Sequence, residues 1–108
     1  MSCRGASIAV LLYGSTVAFA STADAAVIQI TISNVAFPPG KTAAHVGDTV
    51  EWMNRDFVVH TATARNGDWD VNLPPNKSGH VVLKKAGKLE YYCRYHPTMK
   101  GEIDVSPK

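Results

Sequence analysis

From residue 26 onward, apolar and polar residues alternate with a period of two in one short segment after another, and no segment keeps a period of 3.6 for three turns. Ile28, Ile30 and Ile32 share one side of the first segment and Gln29 and Thr31 take the other, until Pro38, Pro39 and Gly40 stop it. A strand over 42–46 turns at Gly47-Asp48, and the next sets Val50, Trp52 and Asn54 against Thr49, Glu51 and Met53. Val58, His60, Ala62 and Ala64 then alternate with Val59, Thr61 and Thr63, so the face that carries the small apolar residues also carries an imidazole. Turn residues at Asn66-Gly67-Asp68 and Pro74-Pro75-Asn76 bracket a stretch containing Trp69 that reads as a loop. A strand over 78–83 leads through Ala86-Gly87 to Leu89, Tyr91 and Cys93, which face inward opposite Lys88, Glu90 and Tyr92. The last strand, over 101–105, alternates Ile103 and Val105 with Glu102 and Asp104. Short strands punctuated by turns predict an all-β domain, an antiparallel sandwich or small barrel.

The N-terminus follows a different rule. Residues 5–23 carry no charge, follow Arg4 and include the apolar run Ile8, Ala9, Val10, Leu11 and Leu12. Small residues at cleavage spacing follow in Ala18-Phe19-Ala20 and Ala23-Asp24-Ala25. This layout predicts a secretory signal peptide over residues 1–25, cut after Ala25, with an exported mature domain over 26–108. A membrane anchor is the competing reading, opposed by Gly14, Ser15, Thr16, Ser21 and Thr22 in its second half. Cys3 leaves with the signal, so Cys93 remains without a disulfide partner in an oxidising compartment. Taken alone, Cys93 also reads as a buried structural thiol. Length and charge narrow the choice. A chain of 108 residues is too short for a multidomain enzyme, and a scattered net charge of +2 gives nucleic acid nothing to bind.

Chemistry concentrates where the penultimate strand ends. Cys93, His96 and Met99 have the spacing C-x-x-H-x-x-M, which places three soft or borderline metal donors within seven residues. The inward His60 supplies a fourth from an earlier strand. Structural zinc sites use Cys and His and gain little from a neutral thioether, whereas copper accepts one in both oxidation states. Two His and one Cys in a plane with a distant axial Met is the blue-copper arrangement, one copper per chain. His45 sits beside a turn and His80 in a strand with no second ligand near it in sequence, so both read as surface or packing residues, and Met53 falls on an outward face. Trp52, Trp69, Tyr91 and Tyr92 read as packing.

These features together resemble the cupredoxin family. The resemblance spans residues 27–106 and rests on Phe37-Pro38, on Gly47-Asp48-Thr49-Val50-Glu51-Trp52, on His60 and on the Cys93-His96-Met99 loop. The two-residue gap between His96 and Met99 is similar to that of the amicyanin branch and shorter than the gap in plastocyanin. The resemblance implies a Greek-key antiparallel β-sandwich of seven to eight strands binding one copper at one end. It also implies a monomeric carrier of single electrons in the periplasm that engages redox donor and acceptor proteins transiently. Thr61 stands where many relatives have Asn, and Arg94-Tyr95 where the amicyanin branch has Thr-Pro, leaving the Thr61 hydroxyl to bridge the ligand segments. Phe57, Pro38, Tyr95 and Pro97 are expected to frame His96 as an apolar docking face, with Arg94 and Lys100 beside it to select an acidic partner. A periplasmic copper-delivery protein would use the same ligands. A Cys-His hydrolase is the enzymatic alternative, for which no orienting group can be read.

Overall fold

The computed structural model describes residue 5, residues 9–16 and residues 24–108. Cys3, Arg4, Ile8, Ala18-Phe19-Ala20 and Ala23 of the expected signal lie outside the described residues. No helix among the described residues is long and apolar enough to cross a membrane. Eight strands form: β1 (Val27–Ile32), β2 (Lys41–His45), β3 (Thr49–Asn54), β4 (His60–Ala64), β5 (Asp70–Leu73), β6 (Ser78–Val82), β7 (Gly87–Cys93) and β8 (His96–Ser106). They make two sheets, ordered β1-β3-β6 and β2-β8-β7-β4-β5.

The period-two pattern sets which side chains enter the space between the sheets. Ile30, Ile32, Val50, Trp52, Ala62, Leu73, Tyr91, Cys93, Ile103 and Val105 are all buried there. Burying a side chain the size of Leu or Phe contributes about 1.5–3 kcal/mol, so Trp52 and Tyr91, the two largest fully buried groups, anchor the interior. Tyr91 meets Phe37, Trp52 and Trp69 at centroid separations of 4.7, 5.4 and 5.6 Å. Such tilted and edge-on contacts suit aromatic quadrupoles. The aromatic residues form this packed cluster next to the strand end that carries Cys93.

Two features depart from the sequence reading. The segment around 70–73 is not loop: β5 pairs with β4, setting His60 opposite Leu73 and Thr63 opposite Asp70. A four-residue strand between two turn signals leaves too short an alternation to read. The pairing is also mixed. β3/β6, β4/β5, β4/β7 and β7/β8 are antiparallel, but β1/β3 and β2/β8 run parallel. In the first parallel pair, the intervening β2 lies in the opposite sheet, so β3 returns to its neighbour in the same direction.

Gly101 sits directly across from Tyr91 in the β7/β8 ladder, and a Cβ at position 101 would overlap the Tyr91 ring. The missing side chain is therefore the space the ring occupies. Gly101→Ala should force Tyr91 out of place and destabilise the domain by about 1–3 kcal/mol. Chemical denaturation checks this, the variant's midpoint falling clearly below that of the parent chain.

Candidate metal centre

Cys93 ends β7 and His96 begins β8, paired across a two-residue tip of Arg94 and Tyr95. The next pair in the ladder is Tyr92 with Lys100, so Pro97, Thr98 and Met99 form a bulge on β8. Bulges break the strict alternation of strands and re-aim side chains. Pro97 fits one, because it has no N–H to give to the ladder. Met99 is buried at the end of this bulge, beside a groove of about 320 Å³ lined by Val35, Phe37, Pro38 and Pro39.

The structure brings three of the expected donors together. The Nδ1 atoms of His60 and His96 each lie 3.7 Å from the Cys93 Sγ, and the three donor atoms fall within 4.8 Å of one another. His60 and Cys93 are both 0% exposed, while His96 is partly open to solvent. Metal bonds of about 2.0–2.1 Å to nitrogen and about 2.3 Å to sulfur, opened to a trigonal angle, would set nitrogen and sulfur roughly 3.7–3.8 Å apart. The donors thus already stand at the separation that one bound transition-metal ion requires. Sulfur and imidazole donors of this kind suit a borderline-soft ion.

Backbone and hydroxyl groups hold the sulfur and its loop in place. The Thr61 amide donates to Cys93 Sγ at 3.4 Å, and the Thr61 hydroxyl accepts from the Arg94 amide at 2.9 Å. The bridging bond between the two ligand segments is therefore formed by Thr61 itself. Thr63 gives its hydroxyl proton to Asp70 at 2.7 Å, so in the 2.9 Å contact between the two threonines the donor is Thr61. Arg94 Nε closes the circuit by donating to the same Asp70 oxygen at 3.2 Å. The hydrogen bond from Thr63, with the Arg94 guanidinium beside it, holds the Asp70 carboxyl below its usual range. This network covers the outer face of β4, which explains why all five residues of that strand are buried.

Two further residues support His60 that the sequence pattern did not mark as functional. His60 Nε2 lies 2.8 Å from Asp56 Oδ2. Burial pushes the Asp56 carboxyl up, but hydrogen bonds from Val35, His60 and Asn34 outweigh it and the net shift is downward. Asn54, fully buried, donates to the carbonyls of Val58 and Leu73 at 2.8 and 2.9 Å and accepts from the Asp56 amide at 2.9 Å. One signal was present for Asn54, a polar residue at an inward position of β3. None was present for Asp56, whose role depends on how the 55–59 turn folds back.

The remaining expected residues differ in exposure. Phe57 is 96% and Tyr95 52% exposed, with Val35 and Val58 also open and Pro38 and Pro97 at the surface. Arg94 pairs with Asp70 at the surface and lies 5.5 Å over the Tyr95 ring, whereas Lys100 has no ion pair among the described residues. His45 is exposed near Asp48, and His80 lines a surface cleft with Trp69; neither belongs to the Cys93 group.

A two-sheet sandwich with a buried sulfur and two imidazoles at one end defines a metal-binding β domain. The sequence profile of the cupredoxin-like domain matches residues 5–105, and the chain belongs to that family. It is similar to the methylamine utilization protein MauL of Methylorubrum extorquens, 30% identical over 94 residues that cover 83% of this chain and 82% of that protein. Amicyanin of Paracoccus denitrificans is 30% identical over 97 residues, covering 84% of this chain and 73% of its own. The solved Cu(I) form of an amicyanin point mutant superposes with a TM-score of 0.64 at 28% identity, over 81% of this chain and 88% of that one.

The Thr61 hydroxyl serves two partners inside the protein, so its loss leaves the Arg94 amide without an acceptor. Thr61→Val keeps the shape and should cost about 1–3 kcal/mol. It should also speed hydrogen exchange at the Arg94 amide, measured by NMR against unchanged exchange in β1 and β3.

Proposed function

We propose that this chain is a periplasmic blue-copper electron carrier, passing single electrons between redox proteins and making or breaking no covalent bond of a substrate. The observation that carries this reading is the pair of 3.7 Å separations between Cys93 Sγ and the two imidazole nitrogens within a water-poor pocket. His60, Cys93 and His96 would hold the metal, with the Met99 thioether as a fourth donor. Copper bound there would supply one-electron exchange between its two oxidation states. The sulfur and imidazole donors in a cupredoxin fold, and the Cu(I) form of the related amicyanin structure, support copper over zinc.

The chain's own part is to keep the donors still. β4 and the β7/β8 hairpin fix the three atoms from two sides, and Thr61 ties those elements together by its amide and its hydroxyl. A ligand set that does not rearrange needs little reorganisation when charge changes. His96 alone among the three reaches solvent, which makes its edge the natural port for an electron. Phe57, Val58, Tyr95, Pro38 and Pro97 around that end offer an apolar face, and apolar contacts without deep interlocking suit a partner that must leave after each exchange. Arg55, Lys77 and Lys100 are exposed cations, so a partner with an acidic rim fits this chain. Removal of residues 1–25 on export would leave Cys93 as the one cysteine of the working protein, protected from oxidation by the metal it binds.

One equivalent of copper(II) added to the mature protein should produce an intense absorption near ~600 nm, from a short bond between copper and thiolate. Cys93→Ser should abolish it. Phe57→Lys should leave the band in place but slow electron self-exchange on the order of tenfold, by placing like charges at the docking face. A colourless copper complex of the parent chain would refute the carrier reading.

A further inference from the structure

We infer that Asp48 is a receptor for the α-ammonium group that export creates at Ala26, so that removal of the signal segment itself locks β1 into the three-stranded sheet. This goes beyond the carrier reading and shares with it only the cut after Ala25. In the uncut chain the Ala26 amide donates to Asp48 Oδ1 at 2.9 Å, and the His45 amide donates to Oδ2 at 2.8 Å. Asp48 is 6% exposed, and those two amides hold its carboxyl below the usual range. No Lys or Arg among the described residues pairs with it. His45 Nδ1 lies 3.9 Å from Oδ2, on an exposed ring that is charged only when protonated.

A carboxylate this deep in the fold is costly unless hydrogen bonds and an opposite charge offset its lost hydration. Backbone amides supply the first and only part of the second. Hydrolysis of the Ala25–Ala26 peptide bond by a host signal peptidase leaves a carboxylate on Ala25 and an ammonium on Ala26, and that nitrogen already stands 2.9 Å from Oδ1. A hydrogen bond to an amide thereby becomes a charge-assisted ion pair without rearrangement of the fold. The receptor also selects between the two stretches of small residues. A cut after Ala25 makes Ala26 the first residue, whereas a cut after Ala20 would leave residues 21–25 ahead of it and an uncharged amide at Asp48.

The ion pair acts at the start of a strand whose register matters. β1 is an edge strand, and its parallel ladder with β3 sets Val27 opposite Thr49. Ala26 is held on both sides, its nitrogen by Asp48 and its carbonyl by the Thr49 amide at 2.9 Å. Asp48 is itself fixed through its backbone, which donates to the His45 carbonyl at 3.0 Å and accepts from the Leu83 amide at 2.8 Å. A slip of one residue in β1 would turn Ile28, Ile30 and Ile32 away from the core they pack into. The other charged groups at this point are His45, Lys84 next to Leu83 in sequence, and Lys108, whose side chain passes beside Gly47.

The test uses the full-length chain, exported by a bacterial host and recovered after processing. Its mass should be that of a chain beginning at Ala26, and a chain beginning at any other residue would overturn the inference. The Ala26 α-amine, followed through its methyl resonance by NMR, should titrate about one unit above the ordinary ~7.7–8.0 and return to that range in Asp48→Asn. A second variant keeps Asp48 and carries one serine inserted between Ala25 and Ala26, which makes the Ala26 nitrogen an amide again. An amine raised in the fold adds stability at pH values below its ordinary range and loses that contribution as pH rises through its raised value. The inserted variant should therefore fold with an equilibrium constant about tenfold lower at pH 7, and the gap should close by about pH 10. A parent amine that titrates in the ordinary range, or an inserted variant as stable as the parent at pH 7, would overturn the inference. Failure of the carrier reading looks different: no band near ~600 nm in a chain whose Ala26 amine is raised.

Discussion

The structure depends on β4 lying against β7 so closely that a histidine from one and a cysteine from the other share a water-poor space. β7 takes β4 on one side and β8 on the other, and the site lies where all three run out at one end of the five-stranded sheet. An imidazole and a thiol buried together without other partners would be costly, since polar groups removed from water must be satisfied. Here each is satisfied in a way that also directs it. The sulfur accepts the Thr61 amide, His60 Nε2 meets the Asp56 carboxylate, and Nδ1 of each imidazole lies 3.7 Å from the sulfur. The arrangement is preorganised: the donors stand at metal-binding separations because the protein's own hydrogen bonds put them there.

Rigidity comes from layers on either side of that point. Below it, Tyr91 fills the space opposite Gly101 and packs against Trp52, Trp69 and Phe37. Burial pushes the Tyr91 phenol up to about 12, so it stays neutral in the core beneath the site. Outside it, the circuit Arg94–Thr61–Thr63–Asp70 returns to the Arg94 side chain and pins the tip of the ligand loop at two atoms. A loop of two residues closed by such a circuit has little freedom to follow a change in charge. Arg94, which by its position in sequence belongs to the docking rim, is held at the surface by Asp70, while Lys100 has no ion pair among the described residues.

The sequence shows the parts whose signal is local. Alternation through Val50 and Trp52, and through Leu89, Tyr91 and Cys93, defines strands and their inward faces, and the same count places His60 inside. The C-x-x-H-x-x-M spacing marks the hairpin that carries His96 and Met99. What the sequence conceals depends on which distant segments meet. The parallel partners of β1 and β2 cannot be read from alternation, which records a face and not a neighbour. β5 is hidden by its length, and the three-residue bulge at Pro97 to Met99 is visible only once Tyr92 is paired with Lys100. Asp56 looks like an ordinary turn residue until the turn brings it to His60 and to the amides of Asn34 and Val35.

The central claim is that Cys93, His60 and His96 bind one copper with almost no movement between oxidation states. X-ray absorption on the copper-loaded chain, oxidised and then reduced, tests it most directly. The account predicts one sulfur at about 2.1–2.3 Å and two imidazole nitrogens at about 2.0 Å, nearly unchanged by reduction. A shell of nitrogen and oxygen with no short sulfur contact in the oxidised chain would contradict it.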